Sequence, residues 1–275
     1  MTIHPALKRG NVAVVTGGGD GIGLAAAHHY QSLGMEVCLA DIDAEKLESA
    51  SRALGDVLTV TCDVSQLPDV ESLKVKVYER FGRVDVLMNN AGVARHCDSW
   101  TEYGAWQTVL GVNLWGVING IHAFVPAMMA QESPGLIINT GSKQGITTPP
   151  GNPAYNVSKA GVKSVTEALQ HNLRNTESCQ LSAHLLVPGF TYTGMIKAFI
   201  SEKPDSAWTS EQVIDFMVES ISKGDFYVLC PDNDVTREMD NKRMAWAMGD
   251  LLENRPALSR WHADFQADYE SFIKD

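Results

Sequence analysis

A short β-branched or apolar run followed by a longer helix-like segment recurs along most of the chain. This alternation constrains the fold more than any other feature of the 275 residues. Short apolar runs of this kind form strands, and a helix between consecutive strands implies parallel pairing, because a parallel connection must cross the sheet before it returns. Strands are predicted at 12–16, 36–40, 57–61, 84–88, 136–140, 180–186 and 226–229. Helices are predicted near 21–33, 44–54, 68–81, 101–130, 153–176 and 210–222, laid on both faces of the sheet by right-handed crossovers. The expected architecture is α/β, a doubly wound seven-stranded parallel sheet. No linker, low-complexity tract or further repeat interrupts it, so one domain over 1–275 is expected.

Beyond about residue 231 the texture changes. Met239, Met244, Trp246, Met248, Leu251 and Leu252 fall near helical spacing, and Pro256 interrupts before Trp261, Phe265, Tyr269 and Phe272. This predicts a helical, aromatic-rich C-terminal extension over 231–275. Its aromatics either pack on the body of their own subunit or serve in subunit contact or in covering a site, and the sequence leaves these open.

Composition narrows the functional classes. The formal net charge of −11 disfavours a nucleic acid or an anionic membrane as partner, since binding to phosphates draws on clustered Lys and Arg. No uninterrupted apolar run reaches the roughly 18 residues of a membrane span, and the first residues lack the order of a secretory signal, so a cytoplasmic location is expected. Five cysteines, Cys38, Cys62, Cys97, Cys179 and Cys230, show no CxxC spacing, which fits neither a disulfide framework nor a zinc site. Four read as small core residues, whereas Cys97, in a polar loop, keeps a reactive-thiol alternative. The acidic turn at Asp232 and Asp234 lacks EF-hand spacing, and no metal is expected.

The strand at 12–16 runs into Thr16-Gly17-Gly18-Gly19-Asp20-Gly21-Ile22-Gly23 and then into a helix. Glycines let the chain turn sharply off the strand and bring a helix N-terminus, with its free N–H groups, against a pyrophosphate. The next strand ends at Asp41, followed by Ile42. A carboxylate there can accept both hydroxyls of an adenosine ribose and repels a 2′-phosphate, which points to NAD. Asp20 adds negative charge, and no Arg or Lys stands in the glycine loop to pair with a phosphate.

Tyr155 and Lys159 lie one turn apart on one helical face, where an ammonium can lower the pKa of a phenol. Ser142 follows the strand at 136–140, at the carboxyl end where open α/β sheets bind ligands. Asn113 sits in the long fourth helix, and Asn89-Asn90-Ala91-Gly92 closes the fourth strand at the same edge.

Over about residues 10–230 the chain resembles the short-chain dehydrogenase/reductase family, whose members have a Rossmann fold. The resemblance rests on TGGGDGIG at 16–23, Asp63-Val64 after the third strand and NNAG at 89–92. It continues through Asn113, Ser142 thirteen residues before Tyr155, YNVSK at 155–159, and Pro188-Gly189 with Thr193. It implies that Tyr155 acts as general acid or base, that Ser142 polarises the substrate oxygen, and that Lys159 binds the nicotinamide ribose while depressing the Tyr155 pKa. Asn113 would hold a water. Asp63 and Val64 would meet the adenine, Asn90, Ala91 and Gly92 would line the adenosine side, and Thr191 and Thr193 would lie near the carboxamide. Two positions depart from the commonest pattern: Thr191 stands where Val or Ile is usual, and Asp20 where a small polar residue is frequent.

The resemblance further implies a homodimer or homotetramer built on the fourth and fifth helices, and a mobile lid over 190–208. The substrate pocket is expected to draw on His96, Gln144, Phe190, Tyr192, Met195, Phe199 and Trp208, suited to a hydrophobic or ring-bearing secondary alcohol or ketone. Arg95, beside His96, could bind a carboxylate or phenol. Two alternatives remain. One is a ketoreductase of acyl-thioesters, which would favour NADP and a basic docking patch. The other is a non-catalytic NAD-binding sensor or scaffold, which an intact Asn113, Ser142, Tyr155 and Lys159 set disfavours.

Overall fold

The computed structural model describes residues 3–197 and 200–274. Seven strands form one parallel sheet in the order β3-β2-β1-β4-β5-β6-β7. The elements run β1 (Val12–Thr16), α1 (Gly21–Ser32), β2 (Glu36–Asp41), α2 (Ala44–Leu54), β3 (Leu58–Thr61), α3 (Leu67–Phe81) and β4 (Val86–Asn89). After β4 come α4 (Tyr103–Leu110), one wider π turn (Gly111–Trp115), α5 (Gly116–Met129), β5 (Gly135–Thr140), α6 (Gln144–Thr147) and α7 (Pro153–Asn175). The chain continues through β6 (Leu181–Val187), α8 (Gly194–Lys197), α9 (Ser210–Ser222) and β7 (Tyr227–Leu229) to α10 (Arg237–Leu252), two single 3-10 turns and α11 (Gln266–Lys274).

The strands are apolar throughout because both faces of the sheet are covered. Alternate residues divide between two cores: Ala13, Val15, Val86, Met88, Leu136 and Ile138 face the layer of α1 and α9. Val12, Val14, Leu87 and Ile137 face the layer of α3 and α5. Strand order reverses between β1 and β4, and the carboxyl ends of these strands open a crevice at that switch point.

The predicted strands and helices correspond closely to these elements, with β4 running from Val86 to Asn89 instead of over 84–88. The short helices α6 and α8 carry too few residues for a periodic signal. Tyr103–Met129 forms one continuous helix which, by length and average composition, is apolar enough to span a bilayer, although half of its most apolar stretch is buried in the fold. Asn113, Asn119 and His122 break the run in sequence without making the segment polar on average.

The extension builds a small core of its own. Trp246 is buried between Tyr269 and Phe272, with ring centroids 5.3 Å from each, and the Arg255 guanidinium stacks over the indole at 4.1 Å. The indole Nε1 donates to Ser259 Oγ at 2.8 Å. Beside this core, α10 docks on the body of its own chain against α6.

Candidate active site

The glycine loop is held open by its neighbours. Asn90 donates from Nδ2 to the carbonyl oxygens of Thr16 and Gly17 at 3.1 and 3.3 Å, and Thr16 Oγ1 accepts from the Asn90 and Ala91 amides. A Cβ on Gly23 would lie 2.2 Å from the Gly17 oxygen, and one on Gly17 would lie 2.8 Å from Ala91 Cα at φ +62. Only glycine allows this turn to close and aim the N-terminus of α1 at the crevice. The crevice, about 700 Å³, is lined here by Gly17, Asp20, Gly21, Ile22, Asp63 and Val64, and by Asn90, Ala91 and Gly92.

At the far end, Asp41 Oδ2 accepts from the Gly19 amide at 3.0 Å and Oδ1 from the Asp43 amide at 3.1 Å. Both oxygens keep a lone pair for ribose hydroxyls. The exposed Ile42 side chain offers an apolar face beside it, as an adenine requires. Asp43, not Asp41, caps α2 through the Glu45 and Lys46 amides. Asp20 sits differently from expectation. Its carboxylate accepts from the Gly21 amide at 2.6 Å as the cap of α1, rests against Gly194 and pairs with Lys46 at 3.3 Å. Sequence reasoning missed Lys46, because α2 carries it back to a loop 26 positions earlier. The cradle, the paired lone pairs of Asp41 and the open face of Ile42 together fit an adenine dinucleotide.

Ser142, Tyr155 and Lys159 line the same crevice. Lys159 is buried, and its ammonium donates to the Thr140 carbonyl at 2.7 Å. Desolvation lowers its pKa to about 8. Burial raises the pKa of Tyr155, and the nearby Ser142 hydroxyl opposes that rise. The expected depression of the phenol by Lys159 does not show in the net shift of the ligand-free chain, where burial outweighs the lowering influence of Ser142. Gly145 allows α6 to seat against the Lys159 backbone, which brings Ser142 to Tyr155; a Cβ there would lie 2.4 Å from the Lys159 carbonyl carbon.

Asn113 lies beneath this floor, inside the π turn. Its Oδ1 accepts from the Val93 amide at 2.8 Å, and its Nδ2 donates to the Val93 carbonyl and Ser158 Oγ. One Nδ2 hydrogen thus pins the loop after β4 and the other reaches α7, which leaves the side chain no further donor for a water.

Pro188, Gly189, Thr191 and Thr193 follow β6 along the wall, and Thr193 packs on Gly21. Gln144, Phe190 and Met195 line the crevice, as do Val93, Arg95, Thr108, Val112 and Ile196. Three pocket expectations are corrected. Tyr192 turns outward and donates to the carbonyls of Ile200 and Ser201, stapling the lid segment. Trp208 packs on Phe216 and the main core. His96 stays exposed in its loop, and its neighbour Arg95 reaches the crevice. Phe199 lies outside the described residues. Cys97 is fully buried with Val109 and Ala154 behind Tyr155, so the reactive-thiol alternative falls.

A parallel sheet with a dinucleotide cradle at its switch point and a Ser-Tyr-Lys cluster beside it defines a nicotinamide-dependent oxidoreductase. Comparison places it further: residues 11–204 match the short chain dehydrogenase family, and the chain belongs to that family. It is 28% identical over 261 residues to the 1-deoxy-11-beta-hydroxypentalenate dehydrogenase of Streptomyces exfoliatus, covering 91% of this chain and 94% of that protein. Matches to curated relatives span from 61 to 94% of their lengths. Among solved structures, a short chain dehydrogenase/reductase from Burkholderia phymatum in complex with NAD has a TM-score of 0.81 and 32% identity, covering 90% of this chain and 96% of that one. A metagenomic short-chain oxidoreductase in complex with NADP has a TM-score of 0.67 and 29% identity, covering 81% and 97%.

Proposed function

We propose that the protein is an NAD-dependent dehydrogenase that interconverts a secondary alcohol and its ketone, with Tyr155 as general acid and base. The observation that carries this reading is the meeting of the Tyr155 phenol, the Ser142 hydroxyl and the buried Lys159 at one end of the dinucleotide cradle. Bound in that cradle, the nicotinamide supplies the hydride acceptor or donor. In the oxidative direction the phenolate of Tyr155 takes the hydroxyl proton of the substrate, while Ser142 donates a hydrogen bond to the same oxygen. In the reverse direction the phenol returns that proton to the carbonyl oxygen. Lys159 supplies a desolvated positive charge next to the phenol, with its Nζ 5.7 Å from the ring centroid. Val93, Phe190, Met195 and Ile196 give the crevice apolar walls, which suit a hydrophobic or ring-bearing substrate.

Asp41 is the basis for NAD over NADP, since a 2′-phosphate would meet its carboxylate at the ribose. Lys46 favours the opposite reading, because its ammonium reaches the same end of the crevice, but Asp20 already pairs with it. The resemblance to the pentalenate-type dehydrogenase and to an NAD-bound neighbour supports the proposal. The test is reduced-cofactor formation at 340 nm with NAD and NADP in parallel, across aliphatic, aromatic and polycyclic secondary alcohols. Turnover with NAD that Tyr155→Phe abolishes supports it, and tight cofactor binding without turnover of any alcohol favours a sensor or scaffold.

A dimer or tetramer through the Tyr103–Met129 helix and α7 is part of the same proposal, because Trp115 and Val157 stand exposed on those helices. Light scattering of the purified protein tests it, and a monomer at assay concentration rejects it.

A further inference from the structure

Lys143 follows Ser142 directly, lines the crevice, and carries its ammonium to two carboxylates at the base of the C-terminal extension. Its ammonium lies 2.7 Å from Asp240 Oδ2 and 3.4 Å from Asp232 Oδ2, and both carboxylate side chains are 6% exposed. Asp240 belongs to the first turn of α10, which Thr236 caps. Asp232 reaches the opposite wall: its Oδ2 accepts from the Phe190 amide at 3.2 Å and abuts Gly189, while its Oδ1 accepts from the Asp234 and Val235 amides.

Three segments that are distant in sequence therefore meet on one lysine: the turn bearing Ser142, the wall from Pro188 to Thr193, and the extension. A buried ion pair is a weak source of net stability, because desolvation of both charges offsets their attraction, but its geometry is demanding. Apolar contacts alone would let α10 slide on α6. With the clamp formed, a shift of α10 has to pull on Lys143, and Lys143 cannot move without Ser142.

We propose that Lys143 and Asp240 are positioning residues for the active site, so that the C-terminal extension fixes Ser142 relative to the wall that carries Phe190 and Thr191. The inference rests on the reading that Ser142 contacts the substrate oxygen. It assigns the extension a share in turnover, although among the described residues none of the extension lines the crevice.

The test compares wild type with Asp240→Asn, which keeps the volume and removes the charge, with Lys143→Met, which keeps the stem, and with Lys143→Arg as the conservative rescue. Hydrogen exchange is followed in the cofactor-free protein, and kcat and KM are measured with the best alcohol. Amides of 142–148 should exchange at least tenfold faster in the Asn and Met variants, while those of 17–23 stay at the wild-type rate. Their kcat should fall at least tenfold with the cofactor KM within twofold, and Lys143→Arg should recover most of the loss. If one variant fails to fold, the other carries the test. Unchanged exchange over 142–148, or faster exchange with kcat kept within twofold, overturns the proposal. A wild type that turns over no alcohol removes the proposed activity instead, and the exchange comparison still decides whether the clamp exists.

Discussion

The ε-ammonium of Lys159 donates to the carbonyl oxygen of Thr140 at 2.7 Å, which ties α7 to the end of β5. Among the described residues that carbonyl is the one hydrogen-bond partner of a buried cation whose pKa has fallen to about 8. The charge on Lys159 is thus present below about pH 8 and fades above it, while burial holds the Tyr155 phenol above its ordinary value.

From this we expect the rate of alcohol oxidation to rise with pH as Tyr155 loses its proton. Lys159→Met should lower kcat/KM at least 100-fold across that rise, consistent with the scale of general acid–base catalysis. Profiles of kcat/KM between pH 6 and 10 check both effects. A variant with the wild-type profile would remove Lys159 from the chemistry.

The glycine loop gives a steric prediction. A methyl group on Gly23 meets the backbone oxygen of Gly17 at 2.2 Å and the Asn90 Nδ2 that holds the loop at 2.7 Å. Gly23→Ala should weaken NADH binding at least tenfold and cost about 1–3 kcal/mol, the range for overpacking. Gly104, inside α4, has nothing within 4 Å of its added Cβ. Gly104→Ala should instead stabilise the protein by about 0.5–1 kcal/mol through helix propensity. Fluorescence titration and urea unfolding distinguish the two, and equal effects would refute the packing argument.

At the ribose end, Asp41→Ser should cut the preference for NAD over NADP by about two orders of magnitude, removing roughly 3 kcal/mol of discrimination. Lys46 should then matter: once Asp41 is gone, Asp20→Asn frees its ammonium and should improve NADP binding further. Dissociation constants for both cofactors in the single and double variants measure this. An NADP affinity insensitive to Asp41 would shift the specificity to residues elsewhere in the crevice.

Why some of this was readable in the sequence, and some not, follows from how each feature is encoded. Buried parallel strands must be apolar on both faces, so runs such as 136–140 announce themselves. The glycine turn, Asp41 and the Tyr155-Lys159 spacing are local patterns dictated by local geometry. Trp208 and Tyr192 misled because an aromatic in a lid segment has the same composition whether it faces a ligand, the core or solvent. Cys97 looked exposed because its sequence neighbours are polar, whereas Val109 and Ala154, which cover it, come from other elements. Lys46 and the Lys143–Asp240 pair were invisible for the same reason, since an ion pair across 97 positions leaves no periodic trace.

Far from the crevice, His4 and His184 carry a pH dependence of stability. The Ala6 amide donates to His4 Nδ1, and His184 Nδ1 faces the Asp225 carbonyl at 2.8 Å. These partners make His4 Nε2 the donor to Ser182 Oγ, which passes its own hydrogen to His184 Nε2. The chain is complete with both rings neutral, and a further proton on either one meets a donor. Burial lowers the pKa of His4 to about 4, assisted by His184, and burial lowers that of His184. The unfolded chain, with a histidine pKa near 6.5, binds protons that the folded chain refuses, so stability is intact above about pH 6.5 and falls as pH drops toward 4. Discounting for partial exposure, His4 should account for about 1–2 kcal/mol of the loss by pH 5. Urea midpoints at pH 7.5 and 5.0 check it: His4→Gln should lose less stability across that interval than wild type, and an identical loss in both proteins would show that the pair does not carry the effect.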